Sequence, residues 1–282
     1  MRWESEMRRL NKKSSWLWPS LGAVSLGCTV LLLFGLGWAL KDAWAPAAGI
    51  ALPSATPQPA ASSGDWADKR ELLVTAVGDS LTRGTGDASG QGYVRGTVER
   101  LAKGLGKPVK LVNNLGINGL EASNLAIRLD DEGYKGALSQ ADLLLVTIGG
   151  NDLFHVAQNG GSLVDGGDID AALLQKRLVG LKPRLETVFR KLRALNPNAR
   201  IVYVGLYSPF YDVPALRESV GAVIDEWNGY ARRLADADGG ITVVPTYDLF
   251  ETDVARYLSS DHFHPNADGY ARIAERVAQS LL

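Results

Sequence analysis

One cysteine, Cys28, occurs in the 282 residues, so no disulfide can close within the chain. Cys28 lies in an apolar N-terminal segment, and the rest of the chain, without a thiol, carries no signal of redox compartment. Histidine is almost as scarce: His155, His262 and His264 are the whole supply. With so few histidines, no further cysteine and no His-Glu-x-x-His spacing, metal ligation is poorly provided for, and no cofactor is implied. Neither sign of charge is in excess, since 30 Lys and Arg face 31 Asp and Glu. A nucleic-acid surface normally needs a basic surplus, which is absent. No internal repeat is visible. What the chain does have is a hydrophobic fraction of 46%, enough for a sizeable core.

Part of that fraction sits in one run. From about Trp16 to Leu40 there is no charged residue, a length that suits a membrane-crossing helix of about 20 apolar residues. Arg2, Arg8, Arg9, Lys12 and Lys13 precede it, which predicts a cytoplasmic N-terminus and an exported remainder. Trp16, Trp18, Trp38 and Trp44 fall at its two ends, where interfacial aromatics belong. A cleavable signal peptide, with Ala43-Trp44-Ala45 as the cleavage site, is the rival reading. A lipoprotein box at Ser25-Leu26-Gly27-Cys28 is a third, although the apolar run continues past the cysteine. All three export the rest of the chain, as an anchored domain or, after cleavage, a secreted one. The expected organisation is a basic tail over 1–15, a transmembrane anchor over 16–40, a linker over 41–68 and one domain over 69–282. The linker is rich in Pro, Ala, Ser and Gly and cannot bury a core.

Within the domain, apolar strand-like runs alternate with helical periodicity. Leu72–Val77, Val109–Leu115, Leu143–Ile148, Ile201–Leu206 and Ile241–Pro245 read as strands, apolar along most of their length as parallel strands covered on both faces are. Helices are expected near 92–104, 120–129, 170–195, 215–236 and 266–281, with Pro183 bending or dividing the third. Strands alternating with helices predict a doubly wound parallel α/β sheet. In a 2-1-3-4-5 order the carboxyl ends of the first three strands are neighbours, which is where such sheets bind ligands. The long connection from Thr246 to Phe263 suits a loop that carries His264 back across the sheet.

Short polar segments stand at those ends. Gly78-Asp79-Ser80-Leu81 comes directly after the first strand and offers a serine nucleophile, or merely a helix cap. Asn113 to Gly119 closes the second strand, and the Gly116 N–H is a candidate oxyanion donor. Gly149-Gly150-Asn151-Asp152 ends the third, with the Asn151 amide as a further donor or again a cap. Asp261-His262-Phe263-His264-Pro265 precedes the last helix. Proline at its first helical position would leave His264 at the cap, with Asp261 near enough to orient one ring nitrogen. Asp79, Asp152 and His155 are candidates for lining a substrate pocket. His262 reads as a neighbour, and the glycine-rich stretch Gln158–Asp170 as a lid or as plain flexible surface.

The four blocks, in this order, resemble the SGNH subgroup of the GDSL esterase/lipase family from about Leu72 to Val277. Ser80, Gly116, Asn151 and His264 match its four letters and Asp261 its Asp-x-x-His position. Asn266 to Tyr270 resembles the Pro-Asn-x-x-Gly-Tyr sequence common after the family histidine. The resemblance implies a three-layer α/β/α flavodoxin-like fold, preceded by the one transmembrane helix expected from the apolar run. It implies metal-free hydrolysis of esters of lipids, lysophospholipids or acylated glycans, with Ser80, His264 and Asp261 catalytic and Ser80, Gly116 and Asn151 holding the oxyanion. The same chemistry would serve an acyltransferase or a cell-wall glycan deacetylase, and the same fold a non-catalytic glycan-binding domain.

Overall fold

A computed structural model describes residues 2–44, 68–154 and 171–282. The expected linker, His155 and the stretch Gln158–Asp170 therefore lie outside the described residues or nearly so, the linker being described only at its two ends. The N-terminal unit is one helix, α1, Arg2–Trp44, which includes Pro19. Its segment Trp18–Gly37 has a mean hydropathy of 1.9 over 20 residues, long and apolar enough to cross a membrane by length and composition.

The second unit is built on five parallel strands: β1 (Leu72–Gly78), β2 (Val109–Gly116), β3 (Leu143–Thr147), β4 (Arg200–Val204) and β5 (Ile241–Val244). Their order is β2-β1-β3-β4-β5, the doubly wound arrangement expected. Alternation feeds two cores. In β3, Leu144 and Val146 join one cluster while Leu143 and Leu145 join the other, so every residue of the run is buried. One cluster gathers α4 (Ala122–Arg128), α5 (Glu132–Ser139), α6 (Gly150–Phe154), α7 (Ala171–Leu195) and α8 (Pro214–Asp238). The other gathers α3 (Gly92–Leu105) and α11 (Ala267–Gln279). The result is a three-layer α/β/α sandwich. Only β2 departs from the continuous apolar reading: it is an edge strand whose residues alternate between half-buried and exposed, Val112 among the exposed.

Pro183 does not divide α7. A helix-interior proline costs about 3 kcal/mol. Leu174, Leu178, Leu181, Leu185, Val188 and Leu192 are all buried from that helix, each contributing about 1.5–3 kcal/mol, so packing outweighs the lost bond. The helix α5 is an element that periodicity does not reveal. It contains Gly133 and Gly136 and buries only Leu138.

The connection after β5 is not bare loop. It holds two single-turn helices, α9 (Tyr247–Phe250) and α10 (Val254–Tyr257), anchored by buried Leu249, Phe250, Val254 and Leu258. An isolated antiparallel bridge between Leu258 and Pro265 then closes the segment that carries His264.

Candidate active site

The Ser80 turn is fastened to the neighbouring strand. Gly78, with φ of 148°, ends β1, and a Cβ there would collide with the Thr147 carbonyl. Asp79 is extended and caps the one-turn helix α2 (Ser80–Arg83), its Oδ1 accepting from Leu81 N–H at 3.0 Å. The same oxygen accepts the Thr147 hydroxyl at 2.6 Å, and Asp79 N–H donates to the Thr147 carbonyl at 3.1 Å. Thr147 Oγ1 lies 2.7 Å from Thr82 Oγ1, which lies 3.1 Å from Tyr93 Oη, so a buried hydroxyl chain runs beneath Ser80. Burial raises the Asp79 pKa, against the lowering effect of Thr147 and Leu81. Asp79 is thus a cap turned into the protein, with both named donors internal. α2 ends at Gly84 in the left-handed region.

Ser80 and His264 lie 184 positions apart and meet at 2.7 Å between Oγ and Nε2. His264 Nδ1 is 2.6 Å from Asp261 Oδ2. A carboxylate only accepts, so Nδ1 carries the proton and Nε2 presents its lone pair to the serine hydroxyl. Partial burial works to raise the Asp261 pKa, but bonds from the His264 ring and N–H, the Ser259 hydroxyl and Phe263 N–H outweigh it and hold it at about 2. Three of those donors converge on Oδ1 at 2.7 Å (Ser259), 3.0 Å (Phe263) and 2.9 Å (His264). That turn places His262 at φ of 51°, and its ring takes no part in the relay. Buried Phe263 packs its edge against Phe154 and His264, and its carbonyl accepts from Tyr207 Oη at 2.6 Å.

Proline is not the first helical residue here. Asn266 caps α11 by accepting from Gly269 N–H at 3.0 Å, so Pro265 precedes the cap and His264 stands two residues before it. The imidazole is held by Asp261 and by the Ser259 N–H to His264 carbonyl bond of 2.7 Å, not by the helix end.

Asn151 lies on α6 and is buried, with Nδ2 donating to the Leu120 carbonyl at 3.0 Å, and its second amide hydrogen has no partner among the described residues. Gly116 is placed differently from its expected role. Its N–H donates to Asn114 Oδ1 at 3.0 Å, and it is a glycine because the backbone of Arg83 passes directly over it. Three residues on, Gly119 takes φ of 73° in a turn closed by Leu120 N–H to the Ile117 carbonyl at 3.2 Å. A positive φ at the third turn position is the type II pattern, for which glycine at that position is the sequence signal. Among the described residues the N–H groups of Gly119 and Ser80 donate to nothing, and Gly119 adjoins the carbonyl that holds Asn151.

Asp152 faces another way. Its Oδ2 caps α4 by accepting from Ala122 N–H at 2.9 Å, while Oδ1 is buried without a hydrogen bond among the described residues, 3.8 Å from Arg184. Burial raises its pKa to about 6 against the pull of Ala122 and Arg184. His155 lies outside the described residues.

A serine, a lone-pair nitrogen, an orienting carboxylate and free N–H donors at three strand ends form an acyl-transfer arrangement. The family model for GDSL-like lipases and acylhydrolases matches residues 76–272. The chain belongs to this family. The Bacillus subtilis protein YpmR is 31% identical over 217 residues, covering 76% of this chain and 82% of its own. The spore germination lipase LipC of Bacillus licheniformis is 26% identical, covering 73% of this chain and 94% of its own. The crystal structure of the lipase Lip_vut3 from a goat rumen metagenome superposes with a TM-score of 0.60 at 25% identity, covering 74% of this chain and 97% of that one. As a GDSL-type hydrolase the chain is a serine esterase or lipase by class.

The Asp152 carboxyl gives a stability prediction with a definite sign. Its folded pKa of about 6 exceeds the ordinary 3.8, so folding favours the protonated form. Above about pH 6 the fold carries the cost of a buried charge, and that cost vanishes as pH falls toward 3.8. Asp152→Asn keeps an acceptor for Ala122 N–H and removes the charge. Thermal unfolding from pH 4 to 8 should show the variant more stable at pH 8, by on the order of 2 kcal/mol, with the difference fading by pH 4. A variant less stable across the whole range would contradict this.

Proposed function

We propose that this GDSL hydrolase is a membrane-anchored, extracytoplasmic enzyme that cleaves carboxylic esters of lipids, lysophospholipids or acylated glycans. The observation that carries the mechanism is the continuous relay of 2.7 Å and 2.6 Å from Ser80 through His264 to Asp261. Ser80 Oγ attacks the ester carbonyl as its proton passes to His264 Nε2, and Asp261 stabilises the imidazolium. His264 returns that proton to the departing alcohol. Water then repeats the sequence on the acyl-enzyme and releases the acid.

The oxyanion of each tetrahedral state is held by the Ser80 N–H, the free amide hydrogen of Asn151 and the Gly119 N–H. Gly119 replaces Gly116 in this role because the Gly116 N–H already has Asn114 as its partner. Each donor stabilises the transition state by about 3 kcal/mol. The apolar stretch Trp18–Gly37 and the basic residues before it support the anchored, outward-facing topology. Among acyl groups, lipid chains are favoured by the lipase names of LipC and Lip_vut3.

Two experiments test this reading. A crystal structure of the enzyme inactivated by an alkyl phosphonate should show phosphorus bonded to Ser80 Oγ and the phosphoryl oxygen about 3 Å from the Gly119 and Ser80 nitrogens. An oxygen bonded to Gly116 N–H instead would return the oxyanion role to Gly116, and a label on another residue would overturn the mechanism. For topology, a reporter fused after Leu282 should be active only outside the cytoplasm, and the intact chain should sediment with membranes. A shortened protein recovered from the medium would show cleavage in place of anchoring.

A further inference from the structure

The oxyanion reading requires Asn151 to stay aimed at the reacting carbon, and the side chain alone does not ensure that. Asn151 is the second residue of α6, whose first turn is set by the residues between it and β3. The strand ladder stops at Thr147, so the Ile148 carbonyl has passed beyond its last strand partner. It is caught instead by a side chain: Tyr203 Oη, from β4, donates to it at 2.7 Å. The phenol oxygen in turn accepts from Trp227 Nε1, on α8, at 2.8 Å. Trp227 also walls the next residue. Gly149 has φ of 111°, and a Cβ there would strike the six-membered edge of the indole. Tyr203 and Trp227 are both 0% exposed.

We propose that Tyr203 and Trp227 are positioning residues for the Asn151 amide, acting through the Ile148 carbonyl and the Gly149 backbone. The inference rests on the oxyanion role given to Asn151 above. A merely space-filling ring at 203 would need no hydroxyl, and this hydroxyl joins β4 to the turn by a hydrogen bond. Burial also raises the Tyr203 pKa, which keeps the phenol protonated as a permanent donor. Remove the hydroxyl and two buried groups lose their partner together, the Ile148 carbonyl and the Trp227 N–H. The peptide between Ile148 and Gly149 can then rotate, because glycine offers little torsional resistance. Its rotation carries the start of α6, and Asn151 with it.

The test is a double-mutant cycle on the full-length chain in detergent, assayed on a short-chain p-nitrophenyl ester well below each variant's melting temperature. Tyr203→Phe should lower kcat by about ten- to a hundredfold with KM changed by less than about twofold, since a displacement near 1 Å at a catalytic donor costs that much. In an Asn151→Ala background the same change should lower kcat no further, while its cost in thermal stability stays the same in both backgrounds. Trp227→Phe, which leaves the Tyr203 to Ile148 bond in place, should show the same coupling with a smaller loss, and it carries the test should Tyr203→Phe fail to fold. If the kcat losses multiply, or Tyr203→Phe retains wild-type kcat, the positioning role is wrong. If Asn151→Ala itself retains wild-type kcat, the oxyanion reading fails first.

Discussion

The hydroxyl of Thr147 on the carboxylate of Asp79 is the bond on which the site depends. It ties the end of β3 to the turn beyond β1, at 2.6 Å and fully buried. Through it the Ser80 turn and the Asn151 turn, which leave adjacent strands, are held at one fixed separation. Removing one partner of a buried hydrogen bond leaves the other unsatisfied, at a cost of about 1–3 kcal/mol. Gly78 permits the close approach, since β1 and β3 could not lie so near with a side chain between them. The histidine arrives separately, along a chain segment pinned by Phe250, Leu258 and Phe263.

Three aspartates near this point do three jobs because their surroundings differ. Asp79 is buried and bonded to neutral donors, and it fixes backbone. Asp261 is more open and takes four hydrogen bonds, which keep it ionised and suited to a protonated imidazole. Asp152 is buried with one oxygen unpartnered among the described residues, and burial raises its pKa to about 6. Residue type alone does not separate these roles; donor count and burial do.

Much of this is legible in the chain itself. The five strands and their order accord with continuous apolar runs that alternate with helical periodicity, and the polar blocks stand at the ends of the first three. The departures are local. Between Gly116 and Gly119 periodicity cannot choose, because which N–H stays free depends on Asn114 and on the passage of Arg83, both matters of tertiary packing. At the start of α11, Pro265 and Asn266 both suit a helix beginning, and the bond from Gly269 N–H to the Asn266 side chain decides for the later residue. Pro183 suggests a break that the buried face of α7 overrides. Tyr203, Trp227 and Ser259 carry no sequence signal, because their roles depend on partners that only the folded backbone brings within reach.

Acid-quenched mass spectrometry during turnover of a slowly hydrolysed ester tests the central claim most directly. A transient mass gain equal to one acyl group is expected, located on the peptide that contains Ser80 and absent from Ser80→Ala. An acyl group found on another residue, or full-rate turnover by Ser80→Ala with no acylated protein, would contradict it.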